Sequence, residues 1–315
     1  MILSVSRRTD IPAFYSDWFI NRLREEVVWV RNPMNYHSIS QINLTPNVVD
    51  CIVFWSKNPQ PMFKYLDEID RKYKFYFQYT LNAYEKDMEP YLPDLNVRLD
   101  NFIFLAKKYG KERVIWRYDP IIITPKYNID WHIDKFEYIA TKLKNYTNAC
   151  VFSFLDIYDK IKNNLSKLGI QEITNNLMTE ISKKLKIIAD KNKIELRTCS
   201  EDIDLLDLGI KKSCCIDPNL ISEIIGCKIK ASKDKNQRAS CGCVESIDIG
   251  QYNTCRHGCI YCYANYSKES VKANCLKHIK TSKLLLGEKE KDDKVHEREM
   301  KSLRDLQISF IDKII

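Results

Sequence analysis

The chain has 315 residues, 44% of them hydrophobic, and a formal net charge of +8. That length admits one large barrel or two ordinary domains, and the composition supplies a sizeable core. No apolar run reaches 18 residues and no charged-then-apolar leader occurs, which argues against a membrane span and against export. The setting expected is cytoplasmic and reducing, with the twelve cysteines read as metal-bound thiols rather than disulfides.

Short apolar runs recur along the chain, each ending in polar residues. They are Met1 to Val5, Val27 to Val30, Cys51 to Trp55, Phe75 to Phe77, Arg113 to Trp116, Cys150 to Phe152 and Ile194 to Leu196, with a weaker eighth at Ile210 to Cys214. Such runs read as strands buried on both faces. Ser38 to Leu44 reads as an extra strand or hairpin arm. Segments of helical period lie between most runs: Pro12 to Glu26, Pro61 to Tyr73, Val97 to Tyr109, Trp131 to Tyr146 and Ile173 to Lys191. The alternation predicts an α/β fold, a TIM-like parallel (β/α) barrel of seven or eight strands over residues 1–226. After one more helix at Asn219 to Ile225 the period fades. Residues 227–315 are expected to form a cysteine-rich extension capping the barrel mouth, with an amphipathic helix in the tail from Met300.

In a parallel barrel the functional side chains sit where strands end. Those ends carry Arg7, Asp10, Lys57, Arg117, Asp119 and Glu201 as candidates for chemistry, and Arg31, Asn58, Gln78 and Arg197 as candidates for holding a cofactor. Arginines at four strand ends would suit a carboxylate or phosphate ligand, because guanidinium binds planar oxyanions in a bidentate manner. Asp10, Asp156 and Asp217 precede helical segments and read equally as N-caps. The lysines are spread over helical segments and read first as solvated faces, with a nucleic-acid surface as the weaker alternative.

The densest chemistry lies from Cys241 to Asn265, where five cysteines occur. Cys255, Cys259 and Cys262 have the spacing C-x3-C-x2-C, with Tyr261 just before the third. Three thiolates so placed can bind three irons of a [4Fe–4S] cube and leave the fourth iron open. Zinc, which usually takes cysteines as two closely spaced pairs, is the rival. Cys199, Cys215, Cys241 and Cys243 remain as four thiolates for a second cluster, the bland alternative being buried thiols. Of the adjacent Cys214 and Cys215, only one can face a mouth.

The run Tyr252-Asn253-Thr254-Cys255-Arg256-His257-Gly258-Cys259-Ile260-Tyr261-Cys262-Tyr263 resembles the cluster motif of radical S-adenosylmethionine (SAM) enzymes, especially spore photoproduct lyase relatives. With Ser6-Arg7-Arg8-Thr9-Asp10-Ile11-Pro12, Val53 to Pro59, Val114 to Pro120 and Lys233 to Arg238, it also resembles the uncharacterised bacterial domain of unknown function 1848. The radical SAM resemblance implies that Cys255, Cys259 and Cys262 bind a [4Fe–4S] cluster whose open iron takes SAM, with Tyr261 beside it. It implies radical chemistry on a small-molecule or nucleotide-like substrate, with an external electron donor. Two departures stand out. In the superfamily the triplet follows the first barrel strand, whereas here it follows the whole barrel, and no Gly-Gly-Glu run follows a second strand. The alternatives are an iron–sulfur electron-transfer or redox protein without SAM turnover, and a nucleic-acid repair-type binding protein.

Overall fold

The computed structural model describes residues 1–156, 165, 168–238 and 240–305. Eight strands form one parallel sheet: β1 (Ile2–Val5), β4 (Cys51–Ser56), β5 (Phe75–Thr80), β6 (Val114–Ile121), β7 (Ala149–Phe154), β8 (Glu195–Thr198), β9 (Lys211–Lys212) and β10 (Ile247–Asp248). Their spatial order is β10-β1-β4-β5-β6-β7-β8-β9. The last strand in sequence therefore lies beside the first, with Leu3 opposite Ile247 and Ser4 opposite Asp248.

The run Val27 to Val30 does not join this sheet. It belongs to β2 (Val27–Asn32), which pairs antiparallel with β3 (Asn35–Asn43), and β3 pairs with β11 (Lys294–Glu297). Only two residues separate β2 from β3, and a connection that short permits an antiparallel hairpin but no parallel crossover. The stretch after residue 226 is thus woven into both sheets, through β10 and β11. The tail from Met300 is not helical as far as Asp305, where Arg304 bridges Ile229; the rest of that expected helix lies outside the described residues.

Seven helices fall close to their expected places: α1 (Ile11–Phe14), α2 (Ser16–Arg24), α3 (Phe63–Lys72), α4 (Leu95–Tyr109), α5 (Ile129–Leu143), α6 (Asn175–Lys191) and α7 (Pro218–Ile225); α8 (Lys268–Leu276) was not expected. Asp10, Asn128, Thr174, Asp217 and Ser267 cap α1, α5, α6, α7 and α8, each side chain accepting a first-turn amide hydrogen. Strand side chains alternate between two cores, as the period of two requires. Leu3, Phe54, Phe77, Trp116 and Phe152 pack with the helices in one cluster. Ile2, Val53, Tyr76, Ile115 and Val151 face the other way and pack with Cys215, Cys241 and Cys243. Both faces are therefore buried, which is why these strands read as unbroken apolar runs.

His132 of α5 sits wholly buried in the outer layer. Its Nδ1 meets the Tyr118 hydroxyl at 2.8 Å and its Nε2 the Ile122 carbonyl at 3.0 Å, so a neutral ring with its proton on Nε2 satisfies both. Burial pulls its pKa down to about 4. A depressed folded-state pKa means that the unfolded chain binds the proton first. The contribution is complete above pH ~6.5 and is lost as pH falls towards 4, a change of about 3 kcal/mol. The urea midpoint should fall over that window, and His132→Gln should flatten the fall. Equal pH slopes in both proteins would contradict this.

Candidate functional site

A cavity of about 400 Å³ opens at the C-terminal ends of the parallel strands. Seven cysteines line it: Cys199, Cys215, Cys241 and Cys243, and the triplet Cys255, Cys259 and Cys262.

The first four cysteines line one side of the cavity together. Cys199 follows β8, and its amide donates to the Phe152 carbonyl of β7. Cys215 follows β9, and its sulfur is 3.2 Å from that of Cys199. The Cys243 thiol lies near enough to those of Cys215 and Cys241 to shift both. The backbone holds the two loops together. The Val244 amide donates to the Ile216 carbonyl at 3.3 Å, and the Ile216 amide donates to the Cys243 sulfur at 3.4 Å. Gly242 is required between its two cysteines, because a Cβ there would lie 2.6 Å from the Cys214 sulfur. Cys214 packs against that glycine and does not line the cavity. The Cys241 thiol is brought down to about 6, first by its contact with Cys243 and then by a backbone amide and the Ser200 hydroxyl.

β10 delivers the triplet. The Asp248 carboxylate accepts from Ser4 Oγ at 2.9 Å, Ser6 Oγ at 2.5 Å and the Arg7 amide at 2.8 Å, clamping the incoming segment onto β1. The Tyr15 hydroxyl then holds the Thr254 carbonyl at 2.6 Å. At Gly258, φ is +70° and a Cβ would come within 2.8 Å of the Tyr91 ring, so the turn between Cys255 and Cys259 needs glycine twice over. Burial pushes the Cys255 and Cys259 thiols up; the Lys57 ammonium opposes this at Cys259. Thiols raised this way ionise once a cation compensates the charge, which is the property of a metal ligand.

A buried polar network backs the triplet. Lys57 Nζ donates to Glu89 Oε1 at 2.8 Å and to the Tyr261 hydroxyl at 2.9 Å, and Tyr261 also donates to Glu89. Arg98 Nη1 stands 3.6 Å from the other Glu89 oxygen. Burial works to raise the Glu89 carboxyl, but Lys57 and Arg98 overcome it and hold it below its ordinary value. His257 Nε2 lies 2.8 Å from Asp10 Oδ2, while its buried Nδ1 has no partner among the described residues. Asp10 also accepts from the Ala13 amide, Ser56 Oγ and the Lys57 amide. With those four bonds, Asp10 is a cap and an orienting group for His257 rather than a free acid.

Arg7, Lys57, Arg117, Asp119 and Tyr261 line the cavity with Asp10. Five other expected residues do not. Arg31 was expected at the mouth but lies on the outlying hairpin, fixed by Asp293 at 2.6 and 2.7 Å. Arg197 pairs with Glu195 at 2.5 Å. Gln78 donates to the Cys215 carbonyl at 2.9 Å beneath the cavity floor. Asn58 meets Asn101 at 3.4 Å. Glu201 accepts the Phe154 amide at 2.8 Å, and burial raises it to about 7. Sequence reasoning missed Glu89, Arg98 and Ser153. Glu89 lies in the connection between β5 and α4, residues 81–94; the length of that loop was the available signal.

Among the described residues, no three of the seven sulfurs lie within 4.8 Å of one another; the one group that compact is His37, Glu290 and Asp293, already occupied by Arg31. Also among the described residues, no helix is long and apolar enough to cross a membrane. No curated protein matches the chain. A crystal structure of a candidate alpha-L-fucosidase from Bacteroides thetaiotaomicron VPI-5482 is similar at 14% identity over 71% of this chain and 84% of that one, with a TM-score of 0.29, too low to carry an argument. A family model described as Domain of unknown function (DUF1848) matches residues 2–264. With that match spanning most of its 315 residues, the chain belongs to the family described as domain of unknown function 1848.

Proposed function

We propose that the protein is a radical SAM-like iron–sulfur enzyme, with a [4Fe–4S] cluster on Cys255, Cys259 and Cys262 and a substrate in the adjoining cavity. The observation that carries this reading is the meeting of a C-x3-C-x2-C triplet and a four-cysteine set on one cavity. Three thiolates leave one iron of a cube open to a ligand, and four close it. Zinc fits the geometry less well. At the triplet this follows from distance: thiolates sharing one tetrahedral ion at ~2.3 Å stand ~3.8 Å apart, whereas the sulfurs of Cys255, Cys259 and Cys262 are not gathered even within 4.8 Å. Ligands of a cube sit on different irons and stand further apart.

The sheet is read as a closed barrel capped by the segment after residue 226. Support comes from the Val244–Ile216 hydrogen bond, which spans from the stretch after β9 to the stretch before β10. Tyr76 and Gln78 of β5 also reach the Cys215 carbonyl, at 2.7 and 2.9 Å.

Cys255, Cys259 and Cys262 would hold the cluster, which when bound and reduced would supply one-electron reduction of SAM to methionine and a 5′-deoxyadenosyl radical for hydrogen-atom abstraction. The chain's own work is to hold and shield. Lys57, fixed by Glu89 and Tyr261 beside Cys259, offers a cation where a ligand carboxylate would bind. His257, oriented by Asp10, presents its unpartnered Nδ1 within the triplet. Tyr263, whose hydroxyl donates to the Arg7 carbonyl at 2.8 Å, helps to close the cavity against water.

The rival reading, an electron-transfer protein without SAM turnover, is favoured by the four-cysteine set taken alone. An anaerobic assay with dithionite and SAM separates them. Formation of 5′-deoxyadenosine and methionine is expected. A protein that holds its clusters but leaves SAM intact belongs to the rival reading.

A further inference from the structure

The proposal here rests on the reading of Cys199, Cys215, Cys241 and Cys243 as holders of a second cluster. One cation is hydrogen-bonded to that set among the described residues. Arg117 Nη1 donates to the Cys215 sulfur at 2.8 Å. The same guanidinium gives its Nε and Nη2 to Asp119 Oδ2 at 3.1 and 2.5 Å. Ser153 donates to the other Asp119 oxygen, and the Asp119 amide is held by Asn82 Oδ1 at 2.9 Å. Gln78 Oε1 lies 3.5 Å from Arg117 Nη1. The guanidinium is therefore locked in place, and it is 5% exposed, so water screens it little.

We propose that the Arg117–Asp119 pair sets the reduction potential of the four-cysteine cluster, with Arg117 raising it and Asp119 tempering that rise. Hydrogen bonds to ligand sulfurs and local net charge are two of the levers that set such potentials. Accepting one electron from a low-potential donor makes the cluster more negative by one charge. A buried guanidinium on a ligand sulfur stabilises that reduced state, and a carboxylate beside it opposes the effect. Arg117 is a positioning residue here: it acts through Cys215 and forms no bond to substrate.

The test is a potentiometric titration with dithionite, followed by electron paramagnetic resonance. It uses the full chain with Cys255, Cys259 and Cys262 replaced by alanine, so that only the four-cysteine cluster is read. Arg117→Met should shift the reduction equilibrium at least tenfold towards the oxidised cluster, ~59 mV lower for one electron. Asp119→Asn should shift it the opposite way. A merely structural role would not give opposite signs. If Arg117→Met fails to take up a cluster, Asp119→Asn decides alone: a rise supports the proposal and no rise overturns it. Unmoved potentials, or shifts of the same sign, with iron retained overturn the proposal only. A wild-type chain with roughly four irons instead of eight overturns the reading beneath it as well.

Discussion

Replacing Cys255, Cys259 and Cys262 with alanine should abolish formation of 5′-deoxyadenosine and remove roughly half of the bound iron. The triplet reaches the cavity on a segment clamped by Asp248 to β1 and by Tyr15 to Thr254, and none of those clamps involves a side chain of the triplet. With Cys275 and the other clamping groups left intact, the fold should survive the substitutions. The remaining iron should sit on the four-cysteine set, where Cys199 and Cys215 are in contact and no sulfur is hydrogen-bonded to the triplet among the described residues. Cys227→Ala is the control, since Cys227 lies away from the cavity. A triple variant that keeps all its iron and still cleaves SAM would remove the triplet from the mechanism.

The second large effect is expected at the other set. Cys241→Ala with Cys243→Ala should also remove roughly half of the iron, yet leave a resonance signal that responds to SAM. Both residues pack in one core cluster with Ile2, Val53 and Tyr76, so the double variant loses some packing. Each loss is one sulfur in a small side chain, which is modest beside a large-to-small core truncation. A thermal unfolding curve on the same preparation separates that loss from loss of iron. An unchanged iron count in the double variant would rule out a second cluster.

The sequence shows why some of this was legible. Contiguous apolar runs such as Cys51 to Trp55 and Phe75 to Phe77 mark strands buried on both faces, and they name the residues at the strand ends without knowledge of the fold. The triplet was legible because its three cysteines fall within a span of eight residues. Arg31 was misplaced because Val27 to Val30 has the same composition as a core strand. The deciding signal was the next strand, separated from Asn32 by only two residues, too close for a parallel crossover. Asp10 was read both as a site residue and as a cap; its four hydrogen bonds make it a cap that also orients His257. Glu89 was missed because its partners, Lys57, Arg98 and Tyr261, come from three other segments and leave no local pattern. β10 was missed for a similar reason. Two residues in a stretch without period become a strand only by lying against β1.

Metal analysis of the wild-type chain, purified without oxygen, tests the central claim most directly. Iron, acid-labile sulfide and zinc are counted on one sample, and resonance spectra of the dithionite-reduced protein are compared with and without SAM. Roughly eight irons and eight sulfides per chain, little zinc and a spectrum altered by SAM are expected. Stoichiometric zinc with no acid-labile sulfide would contradict the account.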